Sequence, residues 1–130
     1  MNRPVEFLDL DDVLELARRL LADPPPVRDV GLLSSAVARP TTSVGGSDAY
    51  DSIWQKAGAL LQSIVGNHAL VDGNKRLGWL ATAVFLEIND ASVLEASNDD
   101  VYDLVIVVAA GELREVDEIA ARLELLSSPR

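Results

Sequence analysis

The stretch GNHALVDGNKRLGW, residues 66–79, joins two long apolar segments and decides how they are arranged. The segment before it repeats apolar residues at helical spacing on one face: Ile53, Trp54, Ala57, Leu60, Leu61, Ile64 and Val65. The segment after it is apolar on almost every side. The pattern predicts a helix that ends at Gly66, a short loop, and a second helix over 74–88 that forms the buried centre of a helical domain.

Helical spacing continues over the rest of the chain, and no pair of strands with period-two alternation is evident. We predict an all-α, single-domain bundle of about six helices over residues 1–130, with a core over about 6–125. The other helices are expected over 10–21, 31–38, 101–110 and 113–123, before a loose tail at 127–130.

Caps and helix breakers set the expected helix ends. Asp23 and the three prolines after it must end the first helix, and Asp29 is placed to cap the second. Ser47 or Asp48 is the expected cap of the helix that runs to Gly66. The loop over 40–47 is rich in turn formers and β-branched residues, so it could be extended or form a small hairpin.

Composition and charge exclude several classes of function. Among 130 residues, 21 are acidic and 11 basic, a formal charge of −10 that repels nucleic acid and anionic lipid. The absence of cysteine excludes disulfides, and a single histidine makes a structural zinc site improbable. No apolar run reaches the roughly 18 residues of a membrane span, and the N-terminal residues lack a signal peptide's apolar stretch. We therefore expect a cytoplasmic protein with no nucleic acid or membrane partner.

The loop and the start of the second helix predict a site for an anion. A helix that begins near Asn74 presents unpaired backbone N–H groups and the positive end of its dipole, and Gly73 has no side chain to keep a ligand away. Lys75 and Arg76 oppose that dipole, so two adjacent cations are unfavourable there unless an anion is bound. A bound phosphate group would resolve this conflict.

Asp72 and His68 add chemistry to the predicted phosphate site. A single aspartate is a suitable ligand for Mg²⁺ that also binds phosphate oxygens, because magnesium usually takes one or two carboxylates and keeps several waters. Nucleotide polyphosphate therefore fits better than free phosphate. Imidazole can accept a proton near neutral pH, so His68 could deprotonate a hydroxyl that attacks the phosphate.

Purely structural interpretations of the same residues stay open at this point. A lone histidine between a helix and a loop is commonly a cap, Asp72-Gly73 is an ordinary turn, and the Lys-Arg pair can simply be solvated. The glycines do not have the spacing of a Walker A loop or of GxGxxG. The residues alone therefore support a phosphate site and no particular reaction.

Residues 68–76, HALVDGNKR, resemble the signature of the Fic/Doc family. Its Fic form is HxFx(D/E)GNGRxxR, and its Doc (death-on-curing) form has lysine in place of glycine after the asparagine, as Lys75 is here. The resemblance extends from the first predicted helix to about Leu123. It implies an all-helical toxin of a two-gene toxin–antitoxin module, restrained by a cognate antitoxin, that transfers phosphate from ATP to a hydroxyl of elongation factor Tu and halts translation.

The resemblance also implies a role for each residue of the motif, and it implies ATP and Mg²⁺ as cofactors. The implied roles fall on His68 (general base), Asp72 (Mg²⁺ ligand), Gly73 and Asn74 (backbone anion hole), and Lys75 and Arg76 (ATP phosphates). Residues 40–47 correspond to the loop that positions the target segment in this family.

The chain departs from the family pattern at a few positions. Leu70 stands where phenylalanine is usual, a loss of buried aromatic area worth on the order of 1 kcal/mol. Leu77-Gly78 replaces the usual Thr-Ala. Trp79 stands where Fic relatives, which transfer AMP, have their second arginine, and the inhibitory (S/T)xxxE(G/N) helix has no match. Lys75 and the missing arginine at position 79 favour a kinase over an AMP transferase, which stays open as the alternative enzyme. Leu70 and Leu77 leave open a catalytically inactive partner-binding member of the fold.

Overall fold

Six α-helices make up most of the computed structural model, which describes residues 3–127. The helices are α1 Leu10–Leu20, α2 Val30–Ala38, α3 Ile53–Asn67, α4 Asn74–Ile88, α5 Asn98–Ala109 and α6 Val116–Ser127. A 3₁₀ turn, Arg39–Thr41, follows α2, and two short strands, β1 Ser43–Val44 and β2 Ser47–Asp48, precede α3. The predicted all-α bundle of about six helices is confirmed. Ser127, predicted as the first residue of a loose tail over 127–130, is instead the last residue of α6, and 128–130 lie outside the described residues.

Polar side chains cap the helices on either side of the first connection. At α1, the Asp9 carboxylate accepts a hydrogen bond from the Asp12 N–H at 2.8 Å, and the Asp12 carboxylate accepts from the Asp9 N–H at 2.9 Å. Asp29 caps α2 as predicted, accepting from the Leu32 N–H at 3.0 Å. Caps of this kind each contribute about 1 kcal/mol, because they satisfy N–H groups that have no partner within the helix.

The helix α3 begins later than predicted. Ser47 and Asp48, the expected caps, lie in β2. The cap is instead Ser52, whose hydroxyl accepts from the Gln55 N–H at 3.1 Å while the Gln55 side chain accepts from the Ser52 N–H at 3.0 Å. The prediction was wrong because a hairpin occupies the residues before this reciprocal cap.

A small hairpin forms within the 40–47 loop and its edge, one of the two alternatives that the sequence left open. Gly45 and Gly46 have φ values of 59° and 83°, as the turn of a two-residue type I′ hairpin requires. Val44 pairs with Ser47 across the turn. Both strands are exposed along their whole length, so neither has an apolar face. The sequence therefore shows no alternation of apolar and polar residues at these positions.

The centre of the fold is α3, which packs against α2, α4, α5 and α6. Its residues are buried almost without interruption from Lys56 to Val65. A buried central helix was predicted, but α4 is not that helix: Trp79, Leu80 and Val84 on its outer side remain partly exposed. None of the helices in residues 3–127 has the length and apolar character that crossing a membrane would need.

Gly78 marks a close approach of α4 to α3. A Cβ atom at this position would lie 2.6 Å from Cγ1 of Val65, and Val65 is itself buried. The missing side chain therefore sets the distance between the two helices that carry the motif.

Replacing Gly78 by alanine is expected to lower the free energy of unfolding by about 1–2 kcal/mol, because overpacking outweighs the better helix propensity of alanine. Val65 cannot easily turn away, since its side chain is β-branched and enclosed. The double change with Val65→Ala should be less destabilising than the sum of the single changes. Urea unfolding of the four proteins measures this coupling, and strictly additive values would contradict the contact.

Candidate active site

The loop between α3 and α4 is held by the segment that precedes α2. The N–H groups of Arg28 and Asp29 donate to the Ala69 carbonyl at 2.8 and 3.0 Å, and Val27 forms an antiparallel bridge with Leu70. Leu70 is 1% exposed. Leucine therefore anchors the loop in the core at the position where the motif usually has phenylalanine.

His68 follows the last residue of α3 and has a left-handed backbone conformation, with φ 54° and ψ 42°. Such a conformation costs on the order of 1 kcal/mol in a residue other than glycine. The Arg28 guanidinium donates to the His68 carbonyl and so helps to hold it. The imidazole is exposed and has no hydrogen-bond partner within residues 3–127. Its ring nitrogens are therefore accessible to a substrate.

The side chain of Asn74 closes the loop onto the start of α4. Its Oδ1 accepts from the Leu70 N–H at 3.0 Å, and its Nδ2 donates to the Leu70 carbonyl at 3.1 Å. Both polar groups of the side chain are used in this way. The side chain is thus used to hold the loop, and the group predicted to meet a bound anion is the backbone N–H of Asn74.

Replacing Asn74 by alanine is expected to lower the free energy of unfolding by about 2 kcal/mol, because it leaves both backbone groups of the buried Leu70 without their partner. Ser127→Ala, which removes a hydroxyl bonded to a carbonyl on an exposed turn, serves as a control. Chemical unfolding of both variants measures the difference. Equal and small effects would show that the Asn74 bonds do not stabilise the loop.

The first turn of α4 has no side-chain cap, unlike those of α1, α2, α3 and α5 in the described chain. Its N-cap is Gly73, with φ 90°. The N–H groups of Asn74, Lys75 and Arg76 lie in the first helical turn, where no intrahelical acceptor exists. They form a ready donor set for an anion.

The absence of a side chain at Gly73 has a different reason from the predicted one. A Cβ atom there would lie 2.8 Å from both terminal methyl groups of Leu21. The space is thus filled by α1's C-cap residue, and the positive φ adds a second requirement for glycine. The Gly73 N–H donates to the Asp72 carboxylate at 2.9 Å, so the free donors begin at Asn74.

Asp72 is exposed at the end of the loop. One carboxylate oxygen accepts from the Gly73 N–H, while the other has no hydrogen-bond partner within residues 3–127. No group of three or more acidic, histidine or cysteine side chains in that part of the chain could enclose a metal ion. A cation bound at Asp72 would need most of its ligands from outside the protein, as Mg²⁺ with phosphate oxygens and water has.

Lys75 and Arg76 are exposed at the positive end of α4, and within the described residues neither has a carboxylate within 4.0 Å. They also border a cavity of about 430 Å³ between α4 and α5, which we call the α4–α5 groove. Trp79 and Tyr102 lie on its apolar walls. This groove was not predicted from the sequence, because the outer face of α4 is apolar and was expected to be buried in the core.

Three basic residues that were not singled out from the sequence link α3 to the segments around it. Arg28 bonds to the His68 backbone, and Arg39 bonds to the side chain of Tyr50. Lys56, only 2% exposed, donates to Asp48 at 3.2 Å and to the carbonyl of Tyr50, and so fastens the hairpin to α3. The one sequence signal for these three residues was the position of Lys56 among the apolar residues of a predicted helix.

Together these residues make a site suited to a negatively charged substrate. It combines an accessible imidazole, a carboxylate with a free oxygen, uncapped N–H groups and two unpaired cations around one loop. All the motif residues predicted from the sequence lie at this loop or in the first turn of α4.

The chain matches a known family over the residues that build this site. The model of the Fic/DOC family matches residues 7–86. The protein Toxin Doc of Mycolicibacterium smegmatis (strain ATCC 700084 / mc(2)155) is 47% identical over 119 residues, which cover 91% of this chain and 91% of that protein. The chain therefore belongs to the Fic/Doc family, as a toxin of the Doc type.

Proposed function

We propose that this chain is a protein kinase that transfers the terminal phosphate of ATP to a serine or threonine hydroxyl of a translation factor of the elongation factor Tu kind. The observation that carries the proposal is the first turn of α4, where an uncapped helix end meets Lys75 and Arg76. Trp79 stands one turn further on, where AMP-transferring members of the family have an arginine. The groups for phosphate binding are thus present, while one group for the AMP-transfer pose is missing.

The phosphates of ATP would be bound by the N–H groups of the first turn and by Lys75 and Arg76, because both donor sets are unpaired in this structure. The free oxygen of Asp72 fits a Mg²⁺ ion that takes its remaining ligands from phosphate and water. When bound, that ion supplies neutralising charge to the phosphates.

His68 would act as the general base. The target hydroxyl oxygen attacks the terminal phosphorus, the bond from that phosphorus to the bridging oxygen breaks, and ADP leaves. An imidazole nitrogen of His68 accepts the hydroxyl proton, and the cations of the first turn balance the charge on the transferred group. The Arg28 and Ala69 hydrogen bonds keep the histidine backbone in place for this step.

The hairpin β1–β2 would position the target segment. Its strands are exposed and, within residues 3–127, pair only with each other, so each has an outer edge of backbone groups to which an extended segment could add. Lys56 fixes the base of the hairpin through Asp48. The hairpin proposed to dock the target segment is therefore attached to α3, the helix whose last residue is followed by His68.

The test determines which phosphate of ATP is transferred to the target. The protein is incubated with Mg²⁺, a bacterial lysate, and ATP labelled at either the γ or the α phosphate. Label transferred from the γ position alone is the expected result. Label transferred only from the α position would mean AMP transfer, and transfer from neither would favour an inactive, partner-binding member of the fold.

The relative's name, Toxin Doc, supports a second part of the proposal, that a cognate antitoxin restrains this chain. The α4–α5 groove is an apolar surface bordered by Lys75 and Arg76, which suits an amphipathic segment with acidic side chains. Tyr102→Glu, at a side chain 65% exposed on the groove, should weaken binding of the product of the adjacent reading frame. Leu125→Glu, equally exposed on α6, is the control, and equal binding by both variants would contradict this placement.

A further inference from the structure

The guanidinium of Arg39 is fixed between the 3₁₀ turn and α3. Its Nε donates to the Tyr50 hydroxyl at 3.0 Å, and one terminal nitrogen donates to Gln62 Oε1 at 2.7 Å and Ser63 Oγ at 2.9 Å. Its carbon lies 5.5 Å from the centre of the Tyr50 ring. The side chain is thus held in one position before any ligand arrives.

All of these partners are neutral. Within the described residues, no carboxylate lies within 4.0 Å of Arg39, although the chain has 21 acidic residues. The second terminal nitrogen has no hydrogen-bond partner in that part of the chain. A partly buried guanidinium with a free terminal nitrogen and no counter-charge is a ready partner for a carboxylate, with which it can form a charge-assisted hydrogen bond.

Arg39 faces a polar cavity of about 470 Å³, which we call the Arg39 pocket. Its lining residues are Ser35, Ala38, Arg39, Thr42, Ser63 and Asn67. The Asn67 side chain donates to the Leu32 carbonyl through one of its two amide hydrogens, and no bond is made by the Ser35 hydroxyl among residues 3–127. Donors besides the guanidinium are therefore available in the pocket.

The Arg39 pocket ends beside the proposed general base. Asn67 is the residue before His68, and Ser63, which touches the guanidinium, lies about 7.5 Å from His68 along the axis of α3, given the helical rise per residue. An extended chain advances about 3.3 Å per residue, so a bound segment needs at least two residues to span this axial distance, and more because Ser63 and His68 also differ by about 140° around the helix.

We propose that the Arg39 pocket binds the carboxylate of an aspartate or glutamate in the target protein, about two to four residues from the hydroxyl that is modified. The inference rests on the proposed function and adds a substrate preference to it. Arg39 is then a specificity-determining residue, and the neutral partners serve to orient it. A free phosphate ion offers the same negative charge from a different source, so the test includes it.

The experiment uses three pairs of extended octapeptides that contain one threonine, with glutamate in one peptide of each pair and glutamine in the other, placed about two, three or four residues from the threonine. The outcomes below refer to the pair with the largest difference in binding. Peptide binding to the full chain is measured by fluorescence anisotropy, with inorganic phosphate as competitor. We expect the glutamate peptide to bind about tenfold more tightly, as a hydrogen-bonded charge pair would give. Equal binding of the two peptides would overturn the inference, as would complete competition by millimolar phosphate.

Two variants test whether the preference for the glutamate peptide arises in the Arg39 pocket. Arg39→Gln should remove the preference for glutamate. Because that change also removes internal hydrogen bonds, Ser35→Glu is the second variant: it leaves every Arg39 contact intact and places a carboxylate at the mouth of the pocket. Ser34→Glu, the neighbouring residue on α2 that faces a different cavity, is the matched control and should keep the preference.

Binding and transfer are read separately, so the two proposals can fail separately. If the glutamate peptide binds preferentially and no peptide is phosphorylated, the proposed kinase fails, while the binding of a carboxylate by the Arg39 pocket stands. If peptides are phosphorylated with the same KM whether they carry glutamate or glutamine, the inference fails and the kinase stands. If Ser35→Glu weakens binding of ATP with Mg²⁺ as much as it weakens binding of the glutamate peptide, the pocket holds nucleotide phosphates and the inference is overturned.

Discussion

Replacing His68 by asparagine is expected to slow phosphate transfer about 10²- to 10⁴-fold, the usual contribution of a positioned general base. Asparagine tolerates the left-handed conformation that His68 adopts, with φ 54°, so the loop should keep its backbone. It cannot accept the proton of the attacking hydroxyl. The loss should appear in kcat and leave the KM for ATP nearly unchanged, because no group assigned to phosphate binding is altered.

His68→Ala separates the chemical role of the residue from its conformational one. Alanine lacks the base as well, and in the left-handed region it should also lower the free energy of unfolding by about 1 kcal/mol. The matched control is Val71→Ala, on the same loop and 72% exposed, which should transfer phosphate and inhibit growth as the wild type does. Initial rates with γ-labelled ATP and colony counts after induction measure both properties. Wild-type rates in His68→Asn would remove this residue from the mechanism.

The fold was predictable wherever the helix signals are local. The bounds of α4, Asn74–Ile88, follow from a glycine before its first turn and from its apolar sequence, and Asp29 marks the start of α2. The start of α3 was predicted too early, although its true cap, Ser52 with Gln55 three residues later, is a local signal. Ser47 and Asp48 have the residue types of a helix cap, and only the pairing of the hairpin shows that they belong to β2.

The motif residues of the candidate site were predictable because they are contiguous, so one loop and one helical turn bring them together. Arg28 and Arg39 were not, since each reaches its partners through tertiary contacts. Arg28 bonds to the carbonyl of a residue 40 positions away, and Arg39 bonds to Ser63, 24 positions away. The neighbours of these arginines in the sequence, a helix cap and a proline, do not indicate such distant partners. The residues proposed for the chemistry could therefore be identified from the sequence. The residues that hold and surround them are identified only from the structure.

Replacing Asp72 by asparagine is expected to weaken ATP binding in the presence of Mg²⁺ by about ten- to a hundredfold, the scale of one lost charge interaction near a protein surface. The asparagine Oδ1 can still accept from the Gly73 N–H, so the bond seen at 2.9 Å survives and the first turn of α4 keeps its geometry. Calorimetric titration with ATP and Mg²⁺ gives the affinity directly. Asp72→Ala should show the same loss of affinity together with a small loss of stability.

The direction of the effect should reverse when Mg²⁺ is removed. In EDTA the wild-type carboxylate repels the phosphates of ATP, with nothing between them to neutralise the charge. The Asp72→Asn variant should then bind ATP more tightly than the wild type does, because Lys75 and Arg76 remain and the repulsion is gone. Asp23→Asn, at an exposed aspartate in the connection after α1, is the control and should change neither affinity. If Asp72 only stabilised the fold, its replacement would weaken ATP binding equally with and without Mg²⁺. A loss of ATP affinity that does not depend on Mg²⁺ would therefore rule out the carboxylate as the metal ligand.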